Sequence, residues 1–260
     1  MIHPIKSMIA RNQNRMSKNF EKTKYGKELA KLKNMFEGES AFLIGNGPSL
    51  KPEDLTVIHN NGIKSFASNR IYNTYDKTPW RTDFLVSEDE FVLEEIQDNI
   101  SELDCNYKFI PIHLNWYKGI EINNAKYFYQ SFYQKGDEKK FSDDIPHEIV
   151  CRGTVITTCA QLAIYMGFKK LYLIGVDHNF SRMTDKDGNL IVDNTVKDHY
   201  GVEKNADENT KGIFNVDNAT QAFMDLKVFA EERGVEINNA TRGGKLEVFE
   251  RVNFDELFNK

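Results

Sequence analysis

The chain has 260 residues, 40% of them apolar and 28% charged, with a formal net charge of −5. That length can bury a sizeable core in one large domain or two small ones, and the acidic balance argues against a nucleic-acid partner. No apolar run reaches the length of a membrane span, and three cysteines without metal-type spacing argue against a disulfide framework and a zinc site, which fits a cytoplasmic protein.

Residues 1–39 read as a basic helical arm with Gly38 near its end. Residues 1–40 hold nine Lys/Arg against four Glu. The opening MIHPIKSMIARNQNRM lacks the sustained apolar core of a signal peptide. The arm could touch anionic lipid at the inner membrane, but its scattered lysines and weak apolar face favour a solvated helix on the domain edge.

Strand one is Ala41-Phe42-Leu43-Ile44, and it runs straight into Gly45-Asn46-Gly47-Pro48-Ser49. A short helix opens at Pro52, a position that suits proline. Strand two is Gly62–Ser68, leading to Asn69-Arg70. Strand three is Thr82–Ser87, followed by a helix over 90–103. Strand four is Tyr107–Ile112. Residues 113–148 lack clear periodicity and read as an irregular cap.

Ile156, Cys159, Ala160, Ala163 and Met166 share a helix face, with Gly167 as its C-terminal cap. Phe168–Gly175 is the next strand, ending in Val176-Asp177-His178. Residues 180–216 are a long polar loop or lid, and loops of that length usually carry function. Ala219, Ala222, Phe223, Leu226, Phe229 and Ala230 form a second helix face. Val235–Ile237 is the last strand, entering Asn238–Gly244, and 251–260 is a tail. Alternating strands and helices predict an α/β, Rossmann-like, mostly parallel sheet with helices on both faces over residues 40–250.

In such a sheet the strand ends converge on one edge, where ligands bind. Gly45, Asn46, Gly47, Pro48 and Ser49 could let backbone N–H groups approach a phosphate. The segment is neither a Walker loop nor a GxGxxG fingerprint. Asn69 could bind a base or sugar, and Arg70 could pair with phosphate. Ser87 ends strand three. Arg152 and Thr154 open a helix whose N–H groups favour an anion. Gly175, Asp177 and His178 end the central strand, where Asp177 could hold ribose hydroxyls. Asn239 and Thr241 end the last strand. His199 in the lid is a candidate general base, with Tyr200 beside it. Asp185-Lys186-Asp187-Gly188-Asn189 has acidic DxD spacing, although it fails the calcium-loop pattern and reads better as a turn.

The segments Ile44–Leu50, Phe66–Tyr72, Leu173–Asp177 and Asn239–Phe249 together resemble the MptE-like family, which includes the central domain of Maf flagellin glycosyltransferases and archaeal 6-hydroxymethylpterin diphosphokinases. A more distant likeness is to Cst-type bacterial sialyltransferases, which share GNGPSL, an Arg-x-Thr helix start and a strand ending in Gly-x-Asp. The chain departs from them at Asn179, where they carry a tyrosine, and at Val155 and Ile156. This resemblance implies a CMP-sugar donor held by Gly45, Asn46, Gly47, Ser49, Asn69, Thr154, Gly175 and Asp177. It implies His199 as base, Tyr200 beside the leaving phosphate, a glycan or protein acceptor, and no metal or cofactor. The diphosphokinase alternative implies ATP with magnesium, and Asp89, Asp177, Asp185 and Asp187 as the acidic groups that matter. A non-catalytic nucleotide-binding module is the third reading.

Overall fold

The computed structural model describes residues 19–184, 189–201 and 214–258. In chain order its strands and α-helices are α1 (Lys24–Ala30), β1 (Ser40–Ile44), α2 (Pro52–Asn60), β2 (Lys64–Ser68), β3 (Phe84–Val86), α3 (Glu90–Glu102), β4 (Tyr107–Pro111), α4 (Ile112–Lys118), β5 (Ala125–Phe128), β6 (Gln130–Phe132), β7 (Ile149–Cys151), α5 (Val155–Tyr165), β8 (Lys170–Ile174), β9 (Arg182–Thr184), β10 (Leu190–Val192), β11 (Phe214–Asn215), α6 (Val216–Glu231), β12 (Glu236–Asn239) and β13 (Glu250–Arg251). Eight strands form one sheet in the order β13-β12-β8-β1-β2-β3-β4-β5. Every pairing in it is parallel. The fold is Rossmann-like α/β, as the alternation predicts.

Both sheet faces are covered, which is the condition for an all-parallel sheet. Side chains alternate along β1. Ala41 and Leu43 join Phe66, Phe84, Cys159, Ala160, Phe223 and Leu226 in the core under α5 and α6. Phe42 and Ile44 join Leu55, Ile58, Leu93, Ile96 and Ile100 under α2 and α3. Local sequence sets the helix starts: Pro52 opens α2, Asp89 caps α3 by accepting from Val92 N, and Asn215 caps α6 through Asn218 N.

Three segments differ from the sequence reading. The described part of the arm is not one helix. A 3₁₀ turn (Phe20–Lys22) precedes α1, which Thr23 caps, and Phe20, Leu29 and Leu32 are buried in the main core. The segment 113–148 contains most of α4 and also β5, which joins the main sheet beside β4. Its half-exposed edge position explains why Ala125-Lys126-Tyr127-Phe128 shows no apolar run. Glu250–Arg251 adds β13 at the opposite edge, too short and exposed to leave a sequence signature.

Strand order runs outward in both directions from β1 and β8. The chain leaves β1 for α2 on one face. After β8 the chain reaches α6, which lies on the other. The β1–β8 pair is therefore the topological switch point, where open α/β sheets leave a ligand crevice.

Candidate functional site at the β1–β8 switch point

The two turns at this point pack backbone against backbone. Gly45 N–H donates to Ile174 O at 2.8 Å, and Gly47 N–H to Gly175 O at 2.9 Å. A Cβ on Gly45 would lie 2.3 Å from Gly175 O, and one on Gly175 would lie 2.5 Å from Gly45 O. The glycines serve this mutual approach, so their N–H groups do not form the phosphate cradle that the sequence suggests. Leu50 N–H also folds back, onto Gly47 O, and Pro48 has no N–H.

Asp177 fills the mouth of the turn. Its Oδ2 accepts from Ser49 Oγ at 2.8 Å and from Ser49 N–H at 3.3 Å. Burial raises its carboxyl above the ordinary range, against the pull of the Ser49 hydrogen bonds. A Cβ on Gly47 would sit 1.9 Å from that Oδ2. A carboxylate here suits a hydroxyl or a cation better than a bare phosphate.

Polar strand ends continue along the edge. Asn46 Nδ2 donates to Ser68 O at 2.9 Å, and Ser87 Oγ donates to Asn69 Oδ1 at 2.8 Å. Asn69 takes a left-handed φ of 49°, a conformation that asparagine tolerates. Arg70 turns away: its exposed guanidinium pairs with Glu95 on α3. Next to Ser87, Glu88 places Oε2 within 2.6 Å of Thr158 Oγ1 and 3.1 Å of Cys151 Sγ, both donating to it. Burial pushes this carboxyl upward, more than the two donors lower it.

Thr154 caps α5 by accepting from Ile156 N–H. Gly153, with φ 71°, lets that turn lie against Ala222 of α6. Arg152 is occupied within the fold. It is buried, its guanidinium carbon stands 3.9 Å from the Tyr133 ring centroid, and it forms an ion pair with Asp225 of α6. Lys140 holds the other Asp225 oxygen at 2.7 Å.

Residues 198–200 also reach this edge. Tyr200 N–H donates to Asn46 O at 2.7 Å. Asp198 accepts from Ser181 N–H and Oγ, both at 2.6 Å. His199 thus lies between two anchored neighbours, one of them on the glycine turn. The Tyr200 ring leans on the second core beneath Lys77, whose Nζ is 5.3 Å from its centroid. His178 has a left-handed φ of 52°, and its Nε2 meets Thr220 Oγ1 at 2.7 Å. Since Thr220 donates to Val216 O, His178 carries its proton on Nε2. Burial lowers its pKa and keeps it neutral.

Asn239 and Thr241 brace the loop after β12. Asn239 Nδ2 donates to Leu246 O, Thr241 N–H to Asn239 Oδ1, and Val176 N–H to Thr241 Oγ1. A cleft of about 590 Å³ lies beside them, lined by Lys51, Arg242 and Arg251 among others. Arg242 is already held by Asp54 and Asp255, and Arg251 by Glu247. The switch point, where the polar strand ends converge, is the better candidate.

The site therefore unites Gly45–Ser49, Gly175–Asp177, Asn69, Ser87 and Tyr200. Arg70 and Arg152 have partners elsewhere in the fold, whereas Asn239 and Thr241 brace the loop after β12 and meet the site only through Thr241 Oγ1, which accepts from Val176 N–H. Glu88 escaped the sequence reading. Its signal was its position just beyond a strand end, which a surface acidic residue shares. Asp185, Lys186, Asp187 and Gly188 lie outside the described residues. Among the described residues, no group of three or more His, Cys, Asp or Glu could hold a metal ion, and no helix is long and apolar enough to cross a membrane.

The family model described as "6-hydroxymethylpterin diphosphokinase MptE-like" matches residues 14–183. The matched span includes the glycine turn, Glu88, Arg152 and Asp177, and stops before His199. No curated protein matches the chain.

Proposed function

The chain belongs to the MptE-like family, and from that premise we propose that it is a transferase using a nucleotide-activated donor in the β1–β8 crevice. The fuller reading is transfer of an acidic nonulosonic sugar from a CMP-sugar to a hydroxyl of a glycan or protein acceptor. The observation that carries it is the 2.7 Å hydrogen bond from Tyr200 N–H to Asn46 O. It ties Tyr200, the chain neighbour of His199, to the glycine turn across more than 150 residues. Asp177 Oδ1, which has no partner among the described residues, accepts from a ribose hydroxyl. His199 takes the proton of the acceptor hydroxyl. The acceptor oxygen bonds to the anomeric carbon, the bond from that carbon to the CMP phosphate oxygen breaks, and CMP leaves with the electron pair. Tyr200 then offers its hydroxyl to the departing phosphate. This reading puts the chain in the cytoplasm.

A second reading, diphosphokinase chemistry on a pterin alcohol, is favoured by the family description and by the carboxyl groups at the edge. Magnesium would then be held chiefly by the nucleotide phosphates, as that ion commonly is, with Asp177 Oδ1 as a protein ligand. Asp89 is less suited, because its Oδ1 caps α3.

Calorimetric titration with CMP, CDP, UDP, GDP and ATP, with and without magnesium, separates the readings. CMP binding independent of metal, with CMP release abolished in His199→Ala, is the expected result. Full activity of that variant refutes the role of His199. Magnesium-dependent ATP binding and turnover abolished by EDTA favour the second reading. Binding without turnover of either donor leaves only a nucleotide-binding module.

A further inference from the structure

We infer that the end of β3 carries a second subsite, for the hydroxyl-rich face of a saccharide, with Glu88 as its hydrogen-bonding group and Phe132 as its stacking wall. This deepens the transferase reading and rests on it only for the identity of the saccharide as acceptor.

The placement follows from the sheet. β3 lies two strands from β1, so Glu88 stands about 10 Å along the same edge from the donor crevice. Asn69, whose Oδ1 accepts from the buried Ser87, lies at the end of the strand between them.

Glu88 is held from above by two elements. Thr158 on α5 and Cys151 at the end of β7 both donate to Oε2. The carboxyl plane is thereby fixed, and Oε1, which has no partner among the described residues, remains for a ligand. Glu88 is half-buried, so its second oxygen stays within reach of a ligand while the first is held by two donors.

The wall is set by register. In the β6–β7 ladder Phe132 stands opposite Cys151, and cross-strand partners project to the same face. Phe132 therefore shares a face with Cys151, whose thiol touches Glu88, and it is 65% exposed. Phe91, three residues beyond Glu88, is 75% exposed. A large aromatic face left in water beside an oriented carboxyl matches the two surfaces of a sugar ring, its apolar C–H face and its hydroxyl rim.

Cys151, Cys159 and Asp89 are the titratable groups around Glu88. Burial raises both thiols, so they stay neutral donors. Glu88 can accept from a sugar hydroxyl when ionised and donate to one when protonated.

The test is saturation-transfer NMR on the whole chain, using methyl glycosides of glucose, galactose and N-acetylglucosamine as probes, and CMP and ATP separately. Glu88→Gln keeps the shape and an acceptor for Thr158 and Cys151, and Phe132→Ala lies on the exposed face. We expect at least one glycoside to bind the wild type. In each variant its Kd should rise at least tenfold, with nucleotide binding unchanged. No glycoside binding to the wild type, or binding unaffected by both substitutions, overturns the subsite. Glycoside binding that responds to both substitutions in a protein that binds neither nucleotide sustains the subsite and refutes the transferase reading instead.

Discussion

Gly45→Ala tests whether the glycine turn exists for the β8 turn or for a ligand. The added Cβ would sit 2.3 Å from Gly175 O and 2.9 Å from Gly175 C. Both are backbone atoms, so no side-chain rotation relieves the overlap. Gly45 is not in the left-handed region, so alanine adopts its backbone without strain and the clash is isolated. Since real Cβ atoms stay at least 3.0 Å from such atoms, the turns must part by ~0.7 Å, an overpacking that costs about 1–3 kcal/mol. That separation also weakens the 2.9 Å bond from Gly47 N–H to Gly175 O, a loss of about 1 kcal/mol. A total of about 2–4 kcal/mol lowers the melting temperature by roughly 2–4 °C per kcal/mol in a chain of this size. Urea unfolding gives the free energy, and amide hydrogen exchange at Gly47 reports the lost bond. A variant within 0.5 kcal/mol of wild type, with Gly47 still protected, would refute the backbone-packing account and return the glycines to a ligand-binding role.

Asp225→Ala leaves Arg152 and Lys140 facing each other without their shared anion, and should cost about 3–5 kcal/mol in denaturant unfolding. The double variant Arg152→Met with Asp225→Ala should recover part of that loss. Burial raises the Asp225 carboxyl, but Lys140 and Arg152 outweigh it and hold the group low. Its stability contribution is therefore complete above the unfolded carboxylate range and disappears as pH falls through the lower folded value. Glu88 has the opposite sign. Its raised folded pKa means that its contribution is present below the unfolded carboxylate range and declines as pH rises through the folded value. Glu88→Gln should accordingly raise the melting temperature at pH 7 and converge with wild type near pH 4; a variant less stable at pH 7 would contradict this. Arg70→Ala removes only an exposed pair with Glu95 and should change stability by less than about 0.5 kcal/mol.

Much of the fold is legible locally. Ala41–Ile44 is an apolar run with both faces buried, and a run of that kind followed by Gly-Asn-Gly can hardly be anything but a central strand and its turn. The helices α5 and α6 declare themselves by periodic small and apolar residues. The edge strand β5 does not, because three of its four residues are partly open to water and no apolar pattern is required of them. The N-terminal segment misled for another reason: Phe20 sits in a separate turn from Leu29 and Leu32, so no single helical stripe joins the three, yet each drops into the core.

The site divides along the same line. Local sequence identifies which residues lie at strand ends, since polar residues and glycine interrupt apolar runs there. Partner choice among those residues is not local. Arg152 and Arg70 look alike as basic residues near strand ends. One is buried against Asp225 and Tyr133 and the other is exposed on Glu95, because α6 and α3 approach from different sides. Glu88 has its carboxyl fixed by Thr158 and Cys151, some 60 to 70 residues further along the chain.

The amino-acid sequence by itself determined the alternation of strands and helices, the edge on which the polar turns gather, and the glycine turn as the point of interest. Only the tertiary structure decided that β8 lies beside β1, that the turn's N–H groups go to the β8 turn, and that Tyr200 closes over Asn46. The physical reason is that periodicity is written residue by residue, whereas strand order and hydrogen-bond partners depend on which distant segments meet once both faces of the sheet are buried.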